Sequence, residues 1–355
     1  MKAYIKGIGN ISPQKTFSND EFLENVVSYN SNNMLFCIDP VYKDYINPLQ
    51  LRRMSRTLRM GVSAAKICLS DSGVEMPDAV ITGTGFGCIE DTEKFLLALL
   101  NNNEQQLTPT AFMQSTHNTI SGQVAIMLKC KEYNSTYVNR GFSFETALLD
   151  SLMLIDEGNA QNVLLGGFDE NTLNLHATTA RLGHWKKEPV NTLDLLASKT
   201  PGSVSGEGAT FFMLSNKPDE RNYALLKSLS TLYKPENDEQ VEQHLSDFLK
   251  RNDLAASDID LIVYGLNGDV RTDGIYYYLR DKLFSNNPGA YYKHLCGDYY
   301  TSSAFALWLS ANILKRQVVP EAVKLGNSSS SNLRNILIIN HYRNKNYSFM
   351  LVSQC

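Results

Sequence analysis

Apolar and polar residues alternate along this chain in two periods, and the order of those periods recurs. Short apolar runs suited to strands fall near residues 2–8, 78–84, 135–140, 162–167 and 209–215, and again near 222–232, 259–265, 289–295, 336–341 and 346–352. Each set has a helical stretch directly after its third strand, 142–157 in the first and 300–316 in the second. In the first of these, Phe144, Leu148, Leu152 and Ile155 recur at helical spacing. Identity between the two sets is too low to call a repeat; what matches is the order of elements. Strands alternating with helices predict right-handed crossovers and layered α/β packing.

The stretch from Ser135 to Glu170 reads as a platform for a nucleophile. A buried strand at 135–140, an abrupt turn at Gly141 and a helix from Phe142 aim the turn residue into a cleft. There, free N–H groups and the helix dipole would stabilise an anion. A cysteine at the turn would be acidified and reactive. The residue is Gly141, which has no side chain.

Several motifs resemble those of the β-ketoacyl synthases, condensing enzymes of the thiolase-like fold. Arg52-Arg-Met-Ser-Arg56 with Met60-Gly-Val-Ser-Ala-Ala65 is similar to the family's early Arg-rich helix, and Ile81-Thr-Gly-Thr-Gly85 to its first glycine-rich strand end. Residues 108–118 with Ser121-Gly122 resemble the segment before the nucleophile strand, in a form associated with ketosynthases of aryl-polyene and flexirubin-type pathways. Residues 202–209, Gly-Ser-Val-Ser-Gly-Glu-Gly-Ala, resemble the loop that closes the first half. The resemblance implies a five-layer αβαβα sandwich of two similar halves, 1–216 and 217–355, with trimmed insertions.

The same resemblance locates three catalytic positions. Decarboxylating ketosynthases use one Cys to carry the acyl chain and two His to polarise the thioester carbonyl. The first His would fall at Asn267, after the strand 261–265, and the second at Asp298, in a K-x-x-x-G-H pattern here reading Lys293-His-Leu-Cys-Gly-Asp298. With Gly141 in the Cys position, all three are changed, and the family's Gly-Phe-Gly-Gly turn is His341-Tyr-Arg-Asn344. No catalytic residue is therefore expected. Phe112, Met113, Gln114, His117, Lys293 and Tyr342 are the expected acyl-path or substrate-binding residues, Tyr342 standing where the family has its gating Phe.

Substitute chemistry is weighed residue by residue. Ser143 lies in the first helical turn, outside any G-x-S-x-G elbow, and reads as a cap. Cys296 reads as a small buried hydrophobe. His294 sits beside the vacated second His position, and His117 reads as support for a loop or interface. A carboxylate at Asp298 cannot donate a hydrogen bond to a developing enolate unless its pKa is greatly raised.

Composition narrows the remainder. A net charge of −4 gives no basic field for nucleic acid. Six scattered Cys with no C-x-x-C pair suggest neither zinc nor a disulfide framework, and no cofactor is implied. No apolar run approaches a membrane span and no signal peptide is read, so a cytoplasmic protein is expected. The sequons at Asn134, Asn327 and Asn346 then carry no meaning, and 101–106 and 327–332 read as polar loops.

Two functions are expected to compete. In one, the chain resembles the chain-length factors: a silent homologue pairing with an active ketosynthase and meeting its acyl carrier protein, as homo- or heterodimer. Chain-length factors usually carry Gln where this chain has Gly141. In the other, it is an acyl-carrier-protein-dependent acyltransferase, condensing enzyme or thioesterase with chemistry relocated to His117, Cys296 or His341.

Overall fold

The computed structural model describes residues 1–30, 32–326 and 332–355; of the polar loop expected at 327–332 only Asn332 falls within them, and the sequon at Asn327 lies outside. The first part of the chain runs β1 (Ala3–Ile11), α1 (Pro48–Leu51), α2 (Arg56–Ser72), β2 (Ala79–Gly83), α3 (Ile89–Asn101), α4 (Pro109–Gln114), α5 (Thr119–Leu128), β3 (Tyr133–Tyr137), α6 (Ser143–Asp156), β4 (Asn162–Asp169), α7 (Leu173–Arg181) and β5 (Gly208–Ser215). The second runs β6 (Ala224–Tyr233), α8 (Asp238–Arg251), β7 (Leu261–Tyr264), α9 (Gly274–Leu283), β8 (Gly289–Tyr291), α10 (Lys293–Cys296), α11 (Ser303–Arg316), β9 (Lys324–Leu325), β10 (Asn335–Tyr342) and β11 (Asn346–Ser353).

The strand order is β3-β2-β4-β5-β1-β6-β11-β10-β7-β8-β9. Read outward from the middle, both sets follow one plan: first, fifth, fourth, second, third, with β9 added at one edge. The directions repeat too. β2 is parallel to β3 and β4, and β4 is antiparallel to β5; β7 is parallel to β8 and β10, and β10 is antiparallel to β11. In the sheet the two sets meet through three residue pairs, between Ala3–Ile5 of β1 and Ala224–Leu226 of β6. The link from β5 to β6 spans 216–223.

Period-two alternation builds the layers, because successive strand residues face opposite sides. On β5, Phe212 and Leu214 enter a central core while Phe211 and Met213 pack outward with Met60, Ala64 and Cys68 of α2. On β10, Ile336 and Ile338 point inward and Leu337 and Ile339 outward, against Leu245 and Phe248 of α8 and Ile275 and Leu279 of α9. Both faces are covered, so the strands read as unbroken apolar runs. The central core takes α6 and α11, and residues 303–314 of α11 are all buried, as a helix packed all round requires. Outer helices, first sheet, α6 with α11, second sheet and outer helices make the αβαβα sandwich.

Two expected strands differ. The stretch at 135–140 is not a buried strand: β3 ends at Tyr137, pairs only with β2, and leaves Tyr133 and Val138 each 46% exposed. It is an edge, and alternation cannot distinguish an edge from a centre. At 289–295 the strand stops at Tyr291 and Lys293–Cys296 form a helical turn.

Candidate functional site

The turn between β3 and α6 is a 3-10 turn over Arg140–Phe142, and its positive φ, 48°, falls at Arg140 rather than at Gly141. Ser143 holds the bend: its hydroxyl donates to the Arg140 carbonyl at 2.8 Å and accepts from the Asn139 N–H at 2.9 Å. Gly141 answers a demand for space instead of backbone freedom. A Cβ there would lie 2.5 Å from Cβ of Tyr342 and 3.2 Å from Cβ of Asn346. The room a nucleophilic side chain would need is occupied.

Asn267 and Asp298 come together behind this point. Asn267 Nδ2 donates to Asp298 Oδ2 at 3.4 Å, and Asp298 Oδ1 accepts from Lys293 Nζ at 2.8 Å. Lys293 and Asp298 are 1% and 3% exposed. Burial pushes the Asp298 carboxyl up, but Lys293 and Arg343 more than offset it and leave it below the usual carboxylate range. It is an ion-paired acceptor with no proton to donate. Lys293 also reaches the His341 carbonyl at 3.4 Å, which ties the pair to the strand end carrying Tyr342.

Tyr342 packs against Tyr300 with the rings tilted by 34° and centroids 4.6 Å apart, and the two close over a cavity of about 40 Å³ bordered by Asp298, Asp169 and His184. A water needs about 10–15 Å³ of such space, so the cavity takes a few waters and no acyl chain. Outside Tyr342 the wall opens into a cleft of about 890 Å³.

Of the expected substrate-binding residues, Tyr342 borders both spaces and Lys293 is committed to Asp298. Phe112, Met113, Gln114 and His117 stand apart, on α4 and the turn after it. Phe112 and Met113 are 57% and 59% exposed, His117 is exposed, and Gln114 Nε2 donates to the Arg53 carbonyl. None of the four lines the cleft within this chain.

The candidates for relocated chemistry are poorly placed for it. Burial pushes the Cys296 thiol well up, against the formation of a thiolate. Burial lowers His341 to about 3, helped by Lys293, and its Nε2 lies 3.0 Å from the Thr272 carbonyl. Burial takes His294 to about 3 as well, with Nε2 against the Ala322 carbonyl at 2.8 Å.

Other polar residues hold the site together and escaped the sequence reading. Asp169, at the end of β4, accepts from Gly85 N–H at 2.7 Å, Thr84 Oγ1 at 3.1 Å, and Thr301 N–H and Oγ1 at 2.9 Å each. It joins the end of β2 to the approach to α11. Burial outweighs these bonds and raises it to about 6. Its neighbour Glu170 is raised to about 8, chiefly by burial, and accepts from Thr57 and the Glu90 N–H. Glu207, in the 202–209 motif, pairs with Arg56 at 2.7 Å and accepts from the N–H groups of Cys37 and Asn171. The available signal was a carboxylate pair directly after an apolar strand.

Comparison with known proteins agrees with this architecture. Residues 31–204 match the family described as β-ketoacyl synthase, N-terminal domain. The whole chain superposes on the ishigamide ketosynthase/chain length factor, with TM-score 0.82 and 16% identity over 100% of this chain and 99% of that one. A β-ketoacyl synthase from Burkholderia phymatum STM815 gives 0.80 and 15%, with the same coverage. A ketosynthase in complex with its chain length factor from Xenorhabdus doucetiae gives 0.81 and 14%, over 99% and 98%. Residues 31–204 therefore carry a match to the β-ketoacyl synthase N-terminal domain, and the chain as a whole shares the fold of these ketosynthase structures.

Proposed function

We propose that the protein is a cytoplasmic, non-catalytic subunit of chain-length-factor type, pairing with an active ketosynthase and meeting its acyl carrier protein. The observation that carries the reading is the contact of Gly141 with Tyr342, which leaves the platform without a side chain and without room for one. The engagement of Asp298 by Lys293 supports it, since a paired carboxylate cannot polarise a thioester carbonyl. Neighbours of this fold include a ketosynthase with its chain length factor and a type II acyl-carrier protein in complex with its ketosynthase, so both partners suit such a surface.

The pairing surface is the one around β3. Among the described residues its outer edge has no partner strand, and Leu96, Leu97 and Leu100 of α3, Ile126 of α5, and Leu149 and Met153 of α6 are exposed apolar groups. An open edge beside exposed apolar groups is an aggregation hazard unless covered. The test is co-expression with an intact Cys-His-His ketosynthase, followed by incubation with an acyl thioester and mass spectrometry. The expected result is a stable complex in which acyl groups load only on the ketosynthase. A covalent acyl adduct on this chain would sink the reading.

A further inference from the structure

The 890 Å³ cleft outside Tyr342 has a charge unlike the rest of the molecule. Arg140, Lys234, Arg343 and Lys345 line it, and no Asp or Glu does, in a chain whose net charge is −4. Among the described residues none of the four forms an ion pair. Nε and Nη2 of Arg343 are buried there without a hydrogen-bond partner, although buried guanidinium nitrogens are ordinarily satisfied. The guanidinium lies 5.3 and 5.7 Å from the ring centroids of Tyr342 and Trp185, within cation–π range of both.

Three of the four cations are among the fourteen non-glycine residues at positive φ in the described chain. Arg140, Lys234 and Arg343 have φ of 48°, 49° and 54°, a left-handed region that long side chains avoid. Strained residues persist where the surrounding structure holds them and gather at ligand sites. Three of them bound one cleft from three separate segments. Aromatic rings form part of the remaining wall, beside leucines, threonines and asparagines: Phe142 and Tyr233 lie 6.3 Å apart between centroids, and Phe86 packs edge-on to Tyr300 at 5.2 Å. The volume lies within the range of small-molecule sites, about 300–1,000 Å³.

We infer that this cleft is a non-covalent binding site for an organic oxyanion, a carboxylate or phosphate monoester carried on a flat apolar body, with Arg140 and Arg343 on the charge and the aromatic rings on the body. The inference does not depend on the chain-length reading and is tested on this protein alone.

The experiment is titration calorimetry with trans-cinnamate and phenyl phosphate as the two oxyanion sources, and cinnamamide as the uncharged control. At least one anion is expected to saturate a single site with Kd of about 1 mM or tighter. Cinnamamide is expected to bind at least about tenfold more weakly, the usual difference for a charge-assisted hydrogen bond. The double variant Arg140→Gly with Arg343→Gly removes both charges while suiting the left-handed backbone, and should also weaken the anion at least about tenfold. Lys345→Gln gives an independent, smaller loss should the double variant fold poorly. The proposal is overturned if neither anion binds, if the amide binds as well as the acid, or if these substitutions leave anion affinity unchanged.

Discussion

Lys293 Nζ and Asp298 Oδ1 form a 2.8 Å ion pair with both side chains almost completely buried, on the helical turn and loop where the family resemblance places a Lys and a His. Removing one partner leaves a buried charge uncompensated, whereas replacing both by apolar groups is close to neutral. Lys293→Met should lower stability by about 3–5 kcal/mol, and Lys293→Met with Asp298→Leu should recover much of that loss. Urea unfolding of the three proteins checks it; equal losses in the single and double variants would exclude a coupled pair.

Restoring the nucleophile should fail on steric grounds. A Cβ at position 141 would meet Cβ of Tyr342 at 2.5 Å, so Gly141→Cys must displace the tyrosine. The variant should lose about 1–3 kcal/mol, as overpacking does, and show no condensation with malonyl and acyl carrier protein substrates. Thermal unfolding and a product assay on the same sample decide it, and measurable condensation would show that the platform is intact.

Three buried carboxylates contribute stability that falls as pH rises from about 5 to 8; His184 and the buried His294 and His341, lowered chiefly by burial to about 4, 3 and 3, oppose it below the ordinary imidazole range, so the net fall is expected above about pH 7. Burial is the main cause that raises Asp169 to about 6, Asp273 to about 7 and Glu170 to about 8, all above their unfolded values. Between its unfolded and folded pKa each carboxyl binds more protons in the native state than in the unfolded one, so its contribution to the slope of unfolding free energy against pH is negative. The favourable contribution is complete below the unfolded pKa and lost as pH passes the folded one. Glu170→Gln should flatten the slope, most visibly between about pH 7 and 8. Denaturant unfolding across that window would contradict the assignment if the variant kept the full slope.

Phe112 offers a separation of tunnel from core. With 57% of its surface exposed and its ring 5.5 Å from Phe95, it is not a plug, and Phe112→Ala should cost well under the 3–5 kcal/mol of a buried aromatic. Any effect should appear as altered product length in the reconstituted pair. Melting temperature and product length on one mutant check both halves of the statement, and a large stability loss with unchanged products would reverse it.

Assembly should depend on the face beside β3. Val138 is 46% exposed and Met153 43%, so Val138→Asp with Met153→Asp should leave the isolated fold intact and abolish complex formation. Light scattering reads the result; an unaffected complex would place the interface elsewhere.

The sequence by itself determined most of the strands, the helices at 142–157 and 300–316, and that the two sets follow one order of elements. These are local properties: the apolar run Phe211-Phe-Met-Leu214 and the spacing of Phe144, Leu148, Leu152 and Ile155 survive in any context. Through the family resemblance it also indicated that Gly141, Asn267 and Asp298 occupy the places of a Cys and two His. What only the tertiary structure decided are relationships between distant segments. The 203–207 loop passes 296–298 so closely that a Cβ on Gly206 would lie 1.9 Å from the Cys296 carbonyl and one on Gly297 2.4 Å from Cα of Gly206. β3 became an edge because β2 has its other neighbour in β4. Gly141 met Tyr342, Asp169 met Thr301, and four cations from three segments came to line one cleft, because packing two sheets around α6 and α11 brings strand ends together whatever their separation in the chain.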